Sequence, residues 1–226
     1  MHHEADNVKE RYKRRQAEKS ASLYDVQNPY VKHATREREE VYKQGIFAHF
    51  GNIEGLKVIE IGAGAGGNIS FFKKLGILPQ NIFANELIPE RAQALRAAHP
   101  DIHIIEGDAT RLDVTMLGQF DIVFQSTVFT SILDDSFKRT LADLMVQLMK
   151  PNGMVLWYDF IYNNPRNKDV KGVGVEEVRH LFPALDISFS KITLAPPIGR
   201  RVGNLYSIFN LLPLLRTHVV GFGKKA

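Results

Sequence analysis

From Leu56 onward the apolar residues come in short runs closed by glycine or polar turns. LKVIEIG, NIFANEL, IHIIEGD, FDIVFQS and GMVLWYDF are apolar almost throughout, the pattern of strands buried on both faces. Between them lie NISFFKKLG, PERAQALRAAHP, ATRLDVTMLG and DDSFKRTLADLMVQLMKPNG, where helix formers and wider apolar spacing predict helices. Strand alternating with helix predicts an α/β chain with a doubly wound, mostly parallel sheet. Beyond a helix over VEEVRHLF the rhythm changes. LDISFSKITL alternates like a strand, APPIGRRVGN reads as turns, YSIFNLLPLL as an apolar helix, and THVVGFG as a last strand folding back antiparallel. That makes a seven-stranded sheet. Ahead of it, residues 8–50 read as helical, broken at Asn28-Pro29, with Val31, Tyr42, Ile46, Phe47 and Phe50 able to share one face.

Length modifies this picture little. The 226 residues suit one domain, with 1–50 a helical extension or lid and 51–226 the α/β core. No stretch reaches the roughly 18 apolar residues of a spanning helix, and MHHEADNVKERYKRRQAEKS has no apolar signal core. A cytoplasmic protein is the expectation. The chain has no cysteine, which excludes disulfides, thiolate metal sites and cysteine nucleophiles. Its net charge of +4 is unevenly placed. Residues 187–226 contain Lys191, Arg200, Arg201, Arg216, Lys224 and Lys225 and no Asp or Glu. Such a segment either solubilises a surface or meets a phosphate, a nucleotide sugar or another anion. Its cations are not interleaved with aromatics, which disfavours nucleic acid as a partner.

The chemistry concentrates in VIEIGAGAGGN, Val58 to Asn68. A strand that runs through so many glycines into a helix is a cofactor turn, because glycine lets the backbone bend tightly and approach a ligand. Gly62, Gly64 and Gly67 also satisfy the GxGxxG pattern of dinucleotide binders, so the glycines alone leave the ligand open. Glu60 separates the alternatives. A carboxylate inside a strand is costly to bury without a partner; a pyrophosphate repels it, whereas an ammonium matches it. S-adenosylmethionine carries an ammonium and a sulfonium.

At this point the sequence resembles the class I S-adenosylmethionine-dependent methyltransferases, from Leu56 to about Phe160. The resemblance implies the Rossmann-like methyltransferase fold and this cofactor. EIGAGAGGN is similar to the family's first motif, which implies Glu60, Gly62, Ala63, Gly64, Gly66 and Gly67 at the methionine part. ANELIPERA resembles the second motif, placing Glu86 on the ribose hydroxyls and Leu87 against the adenine. IEGDATRL implies Asp108 at the adenine amino group with Ala109 as a backbone donor. FDIVFQSTVFTSILDD implies Gln125 and Ser126 beside the methionine end, and LMKPNGMVLWYDF resembles the segment closing this core. The N-terminal helices could fold over the cofactor, with Tyr30 or Arg36 reaching its carboxylate.

The acceptor is narrowed by what is missing. QSTVF differs from the Asn/Asp-Pro-Pro-aromatic motif of amino-methylating nucleic-acid enzymes, the cysteine of carbon-5 cytosine enzymes is absent, and no paired-glutamate loop of protein-arginine enzymes is found. Asp159, Asn163 and Asn164 only loosely approximate a metal-dependent catechol-type site, so no metal is expected. The segment after the fifth strand, WYDFIYNNPRNKDVKGV, offers Tyr158, Tyr162, Asn163, Asn164 and Arg166 to a polyol. Asp159 is the first candidate for a base or orienting group, and His180 the second. ERYKRR, DFIYNNPRN and LLRTHVVGF are similar to methyltransferases of surface-polysaccharide pathways. The expected activity is O-methylation of a small polar or saccharide acceptor; an RNA or other macromolecule methyltransferase, or a non-catalytic cofactor-binding module, are the alternatives.

Overall fold

The computed structural model describes residues 2–17, 28–164 and 167–225, with side chains from residue 4 and, in the first helix, as far as Arg14. Seven strands, β1 (Val58–Ile61), β2 (Ile82–Glu86), β3 (His103–Glu106), β4 (Phe120–Ser126), β5 (Met149–Phe160), β6 (Leu185–Leu194) and β7 (Arg216–Lys225), form one sheet in the order β3-β2-β1-β4-β5-β7-β6. The first five pair in parallel. β7 inserts antiparallel between β5 and β6, so the last strand does fold back as the alternating pattern anticipates. The chain winds from β1 outward to β3 and then restarts at β4 on the other side. That reversal opens a crevice at the carboxyl ends of β1 and β4, where doubly wound sheets bind ligands.

The helices are α1 (His2–Ala17), α2 (Pro29–Phe50), α3 (Gly67–Leu75), α4 (Pro89–Ala98), α5 (Asp135–Leu148), α6 (Val175–Leu181), α7 (Pro196–Val202) and α8 (Tyr206–Phe209). Local chemistry sets their starts. Asn28 accepts from the Tyr30 N–H at the head of α2 and Asp134 from the Phe137 N–H at the head of α5, each satisfying a donor that has no partner within the helix. Strand alternation then divides the core. Ile59, Val123, Val155 and Trp157 join α5 and α6 on one face. Val58, Ile122, Phe124, Leu156 and Tyr158 join α2 and α3 on the other. There Tyr42 and Phe72 meet Phe124 edge-on, at ring-centre distances of 5.3 and 5.5 Å, a favourable aromatic geometry.

Three segments differ from the expected pattern. ATRLDVTMLG is not a helix but two single 3₁₀ turns, Ala109–Arg111 and Val114–Met116. Asp108 and Asp113 each accept a backbone N–H two residues on, which ends each turn locally instead of propagating a helix. APPIGRRVGN, read as turns, contains α7, because Pro196 and Pro197 occupy the first helical positions where their fixed φ is suited. YSIFNLLPLL holds only the single turn of α8 and a 3₁₀ turn at Pro213–Leu215. The expected N-terminal helix runs to Ala17, and residues 18–27 of that expectation lie outside the described residues. Among the described residues no helix is long and apolar enough to cross a membrane.

Candidate functional site

A cavity of about 250 Å³ opens at the crevice between β1 and β4. Its walls include Glu60, Gly62, Ala63, Gly64, Glu86 and Leu87, and further round Asp108, Ala109 and Ser126. These nine expected residues, drawn from the ends of four strands, therefore converge on one space.

The glycine turn shapes the floor. Gly62, Gly64 and Gly66 all have positive φ, at 68°, 58° and 80°, a region in which L side chains are strained. A Cβ on Gly62 would lie 2.6 Å from Val128, whereas one on Gly64 would project into open space. The Gly64 backbone is thus bare to a ligand, and its N–H is held by Glu86 Oε2 at 2.7 Å. Gly66 and Gly67 stand just behind the cavity wall, where they start α3. Neither is among the residues of the wall.

Glu60 is buried. Asn68 donates to its Oε1 at 2.6 Å, and its Oε2 has no hydrogen-bond partner. Burial raises its carboxyl to about pH 8, against the opposing pull of the Asn68 bond and the Arg38 charge. An acid held in this way keeps one oxygen unpaired at the cavity wall.

Glu86 is also buried. Beyond Gly64 it accepts the Ile88 N–H through Oε1 at 2.9 Å, so the carboxylate both braces the turn and faces the cavity. Asp108 uses Oδ1 to cap the following turn through the Thr110 N–H and hydroxyl, and it too stands in the wall. Gln125 is fully buried behind that wall, accepting the Val128 N–H and donating to the Tyr158 carbonyl. It fixes the Ser126–Val128 loop; Ser126 itself is in the wall. Thr127 beside it has φ 57°, a strained backbone of the kind that clusters at functional loops.

The other expected residues are dispersed. Tyr30 is buried against α7 and donates to the Leu194 carbonyl, and Arg36 is exposed; neither belongs to the wall. The side chain that α2 turns toward this site is Arg38, which donates to Asn68 at 3.4 Å and lies 5.0 Å over the Tyr158 ring. Asp159 is fully buried below the wall, accepting the Thr130 and Phe160 N–H groups. Desolvation raises it to about pH 7, but its oxygens brace the Phe129–Ser131 turn instead of opening into the cavity. His180 is exposed on α6, with Nδ1 on the Glu176 carbonyl. Of the polyol set, Tyr158 is buried beside Arg38 and stacks on His218. Tyr162 is exposed and accepts from Lys191. Asn163 holds the Gly172 N–H, Asn164 is exposed, and Arg166 lies outside the described residues.

Two contributors were not anticipated: Asn68 and Arg38, which form the Glu60 network. The helix α1 covers the cavity with Val8 and Tyr12. That helix is latched: Arg11 pairs with Glu4 and donates to the Ser131 carbonyl at 3.1 Å, while Glu4 accepts the Leu133 N–H at 2.8 Å. Arg91 stacks over Tyr12 at 4.3 Å. A usable signal existed for Arg38, which is four residues before Tyr42 and eight before Ile46 and so shares the buried face of α2.

Residues 59–157 match the family model described as a methyltransferase domain. No curated protein matches the chain. Among solved structures, an S-adenosylmethionine-dependent methyltransferase from Archaeoglobus fulgidus aligns with TM-score 0.58 at 16% identity, over 83% of this chain and 94% of that one. A magnesium protoporphyrin IX methyltransferase from Synechocystis, solved with bound S-adenosylmethionine, gives 0.60 at 11%, over 87% and 82%. A Mesorhizobium loti S-adenosylmethionine-dependent methyltransferase gives 0.58 at 14%, over 83% and 97%. At these identities the solved structures share the fold.

Proposed function

We propose that this chain is a class I S-adenosylmethionine-dependent methyltransferase that methylates an oxygen of a small polar acceptor, a saccharide or a comparable hydroxylated molecule. The observation that supports the acceptor reading is a cluster of buried polar groups beside Glu60, behind the cavity wall at the ends of β4 and β5. Arg38, Tyr158 and the Tyr42 hydroxyl gather behind the wall residues Ser126 and Thr127. Hydroxyls and a guanidinium suit an oxygen-rich acceptor.

The fit to the cofactor rests on Glu60. Its unpartnered Oε2 suits the methionine ammonium, the bare Gly64 backbone admits close approach, and Glu86 and Asp108 offer carboxylates to the ribose and adenine ends. Arg38, in place of Tyr30 or Arg36, is the cation available to the methionine carboxylate. S-adenosylmethionine supplies an electrophilic methyl group on a sulfonium. The chain's own contribution is alignment: the Gln125-braced loop after β4 sets the acceptor side, and α1 closes the cavity as a lid that excludes water. Positioning of two reactants can supply about 7–11 kcal/mol, so no base is required of Asp159 or His180.

The test is methyl transfer from labelled S-adenosylmethionine to a panel of free and nucleotide-linked sugars, simple polyols, a porphyrin carboxylate and RNA. Label appearing on a sugar or polyol oxygen supports the reading. Label confined to the carboxylate or to RNA overturns it.

A further inference from the structure

In the segment between β6 and β7, two polar-tipped side chains turn toward the protein while a set of apolar ones points outward. Tyr206 and Asn210, one helical turn apart, face the protein and donate to Glu37 of α2 at 2.6 Å each. The Thr193 N–H donates to the same carboxylate, and the Tyr206 ring stacks on His33. The outward positions are Leu205, Ile208, Phe209, Leu211, Leu212 and Leu214, with Ile208 63%, Leu211 75% and Leu214 90% exposed. Exposed apolar residues scattered singly need no explanation, but six within ten residues, with Tyr206 and Asn210 of the same stretch turned inward, mark a contact surface.

Charge selects the partner. Arg200 and Arg201 lie exposed on α7, which packs against both α2 and α8, and no Asp or Glu occurs anywhere in residues 187–226. The acid that supports the segment, Glu37, is engaged by three donors. A protruding apolar set flanked by cations complements a surface that is anionic outside and apolar within. A second copy of the chain would instead set the same arginines against each other. We propose that residues 205–214 seat this protein on an anionic lipid surface, with the leucines entering the acyl boundary and Arg201 meeting headgroup phosphate. Glu37 is followed directly by Arg38, so the seated face adjoins the polar cluster beside Glu60 through α2.

The test is co-sedimentation of the full chain with large vesicles of phosphatidylcholine and phosphatidylglycerol in equal parts, and with phosphatidylcholine alone. Ile208→Ser/Leu211→Ser/Leu214→Ser alters exposed side chains, so an unchanged melting temperature and unchanged S-adenosylmethionine affinity verify that the fold persists. The wild type is expected to pellet with the anionic vesicles. The triple variant should lose roughly tenfold or more in partitioning, and Arg201→Glu should lose several-fold on anionic vesicles only. No pelleting of the wild type, equal pelleting of the triple variant, or equal binding to both vesicle types would overturn the proposal. So would a wild-type dimer that the triple variant turns into a monomer, which assigns the surface to a second copy.

Discussion

Replacing Glu60 by Gln should move stability and cofactor affinity in opposite directions. The carboxyl of an unfolded Glu ionises near 4.5, while in the fold burial raises it to about 8. A raised folded value means that the group costs nothing below pH 4.5 and increasingly destabilises the free protein as pH rises toward 8, where the cost levels off. At 1.36 kcal/mol per pH unit the cost is about 3 kcal/mol at pH 7 and about 5 kcal/mol beyond pH 8. Glu60→Gln keeps an oxygen for the Asn68 donor and removes the ionisation, so the variant should match the wild type at pH 4.5 and exceed it progressively to pH 8. Asp159, raised to about 7, drives the same trend in both proteins and cancels in the comparison. Binding should go the other way. Losing a charge-assisted bond to the ammonium costs about 1.5–3 kcal/mol, a ten- to hundredfold weaker dissociation constant. Because the wild-type acid must first ionise, the affinity ratio should grow from pH 6 to 8 and then level. Denaturant melts and calorimetric titrations of both proteins across that range measure both arms. Equal affinity at all pH values, or a variant no more stable at pH 8 than at pH 4.5 relative to the wild type, refutes the assignment.

Arg38→Ala should weaken S-adenosylmethionine binding about tenfold or more, the scale of one charged hydrogen bond, while Arg36→Ala should leave titrations unchanged. Gly62→Ala places a methyl against Val128 at a positive φ, and should lower the denaturation midpoint by an amount equivalent to about 1–3 kcal/mol. Glu4→Ala removes the acceptor for Arg11 and for the Leu133 N–H; stopped-flow kinetics should show cofactor release several-fold faster with little change in melting temperature. Asp159→Asn should retain turnover within a few-fold of the wild type and shift stability instead, because its oxygens serve the Phe129–Ser131 turn; loss of turnover with affinity intact would restore it as a base.

The strands were legible because burial on both faces leaves an apolar run that little else produces, and all seven fall where such runs or alternation occur. Helices were legible where capping and periodicity agreed, as in α5. They were not where side chains decided the backbone locally, as with Asp108 and Asp113, or where two prolines began a helix that otherwise resembles a turn. The cavity's strand-end residues were readable from Glu60 and the glycines. Those supplied by distant segments were legible only in outline, as helices able to fold over the cofactor, since which side chains of α1 and α2 reach the site is set by packing. Arg36 and Arg38 differ by two positions, about 200° around a helix, and only the burial of Tyr42 and Ile46 tells which one faces inward. The exposure of the apolar residues in 205–214 was hidden altogether, because an apolar run reads the same whether it packs inward or outward.

The decisive question is whether this cavity holds S-adenosylmethionine with its ammonium on Glu60. An electron-density map of the chain crystallised with S-adenosylhomocysteine answers it. The amino group is expected within hydrogen-bond distance of Glu60 Oε2, with the ribose toward Glu86. Homocysteine placed elsewhere, with Glu60 Oε2 still unpartnered, contradicts this assignment.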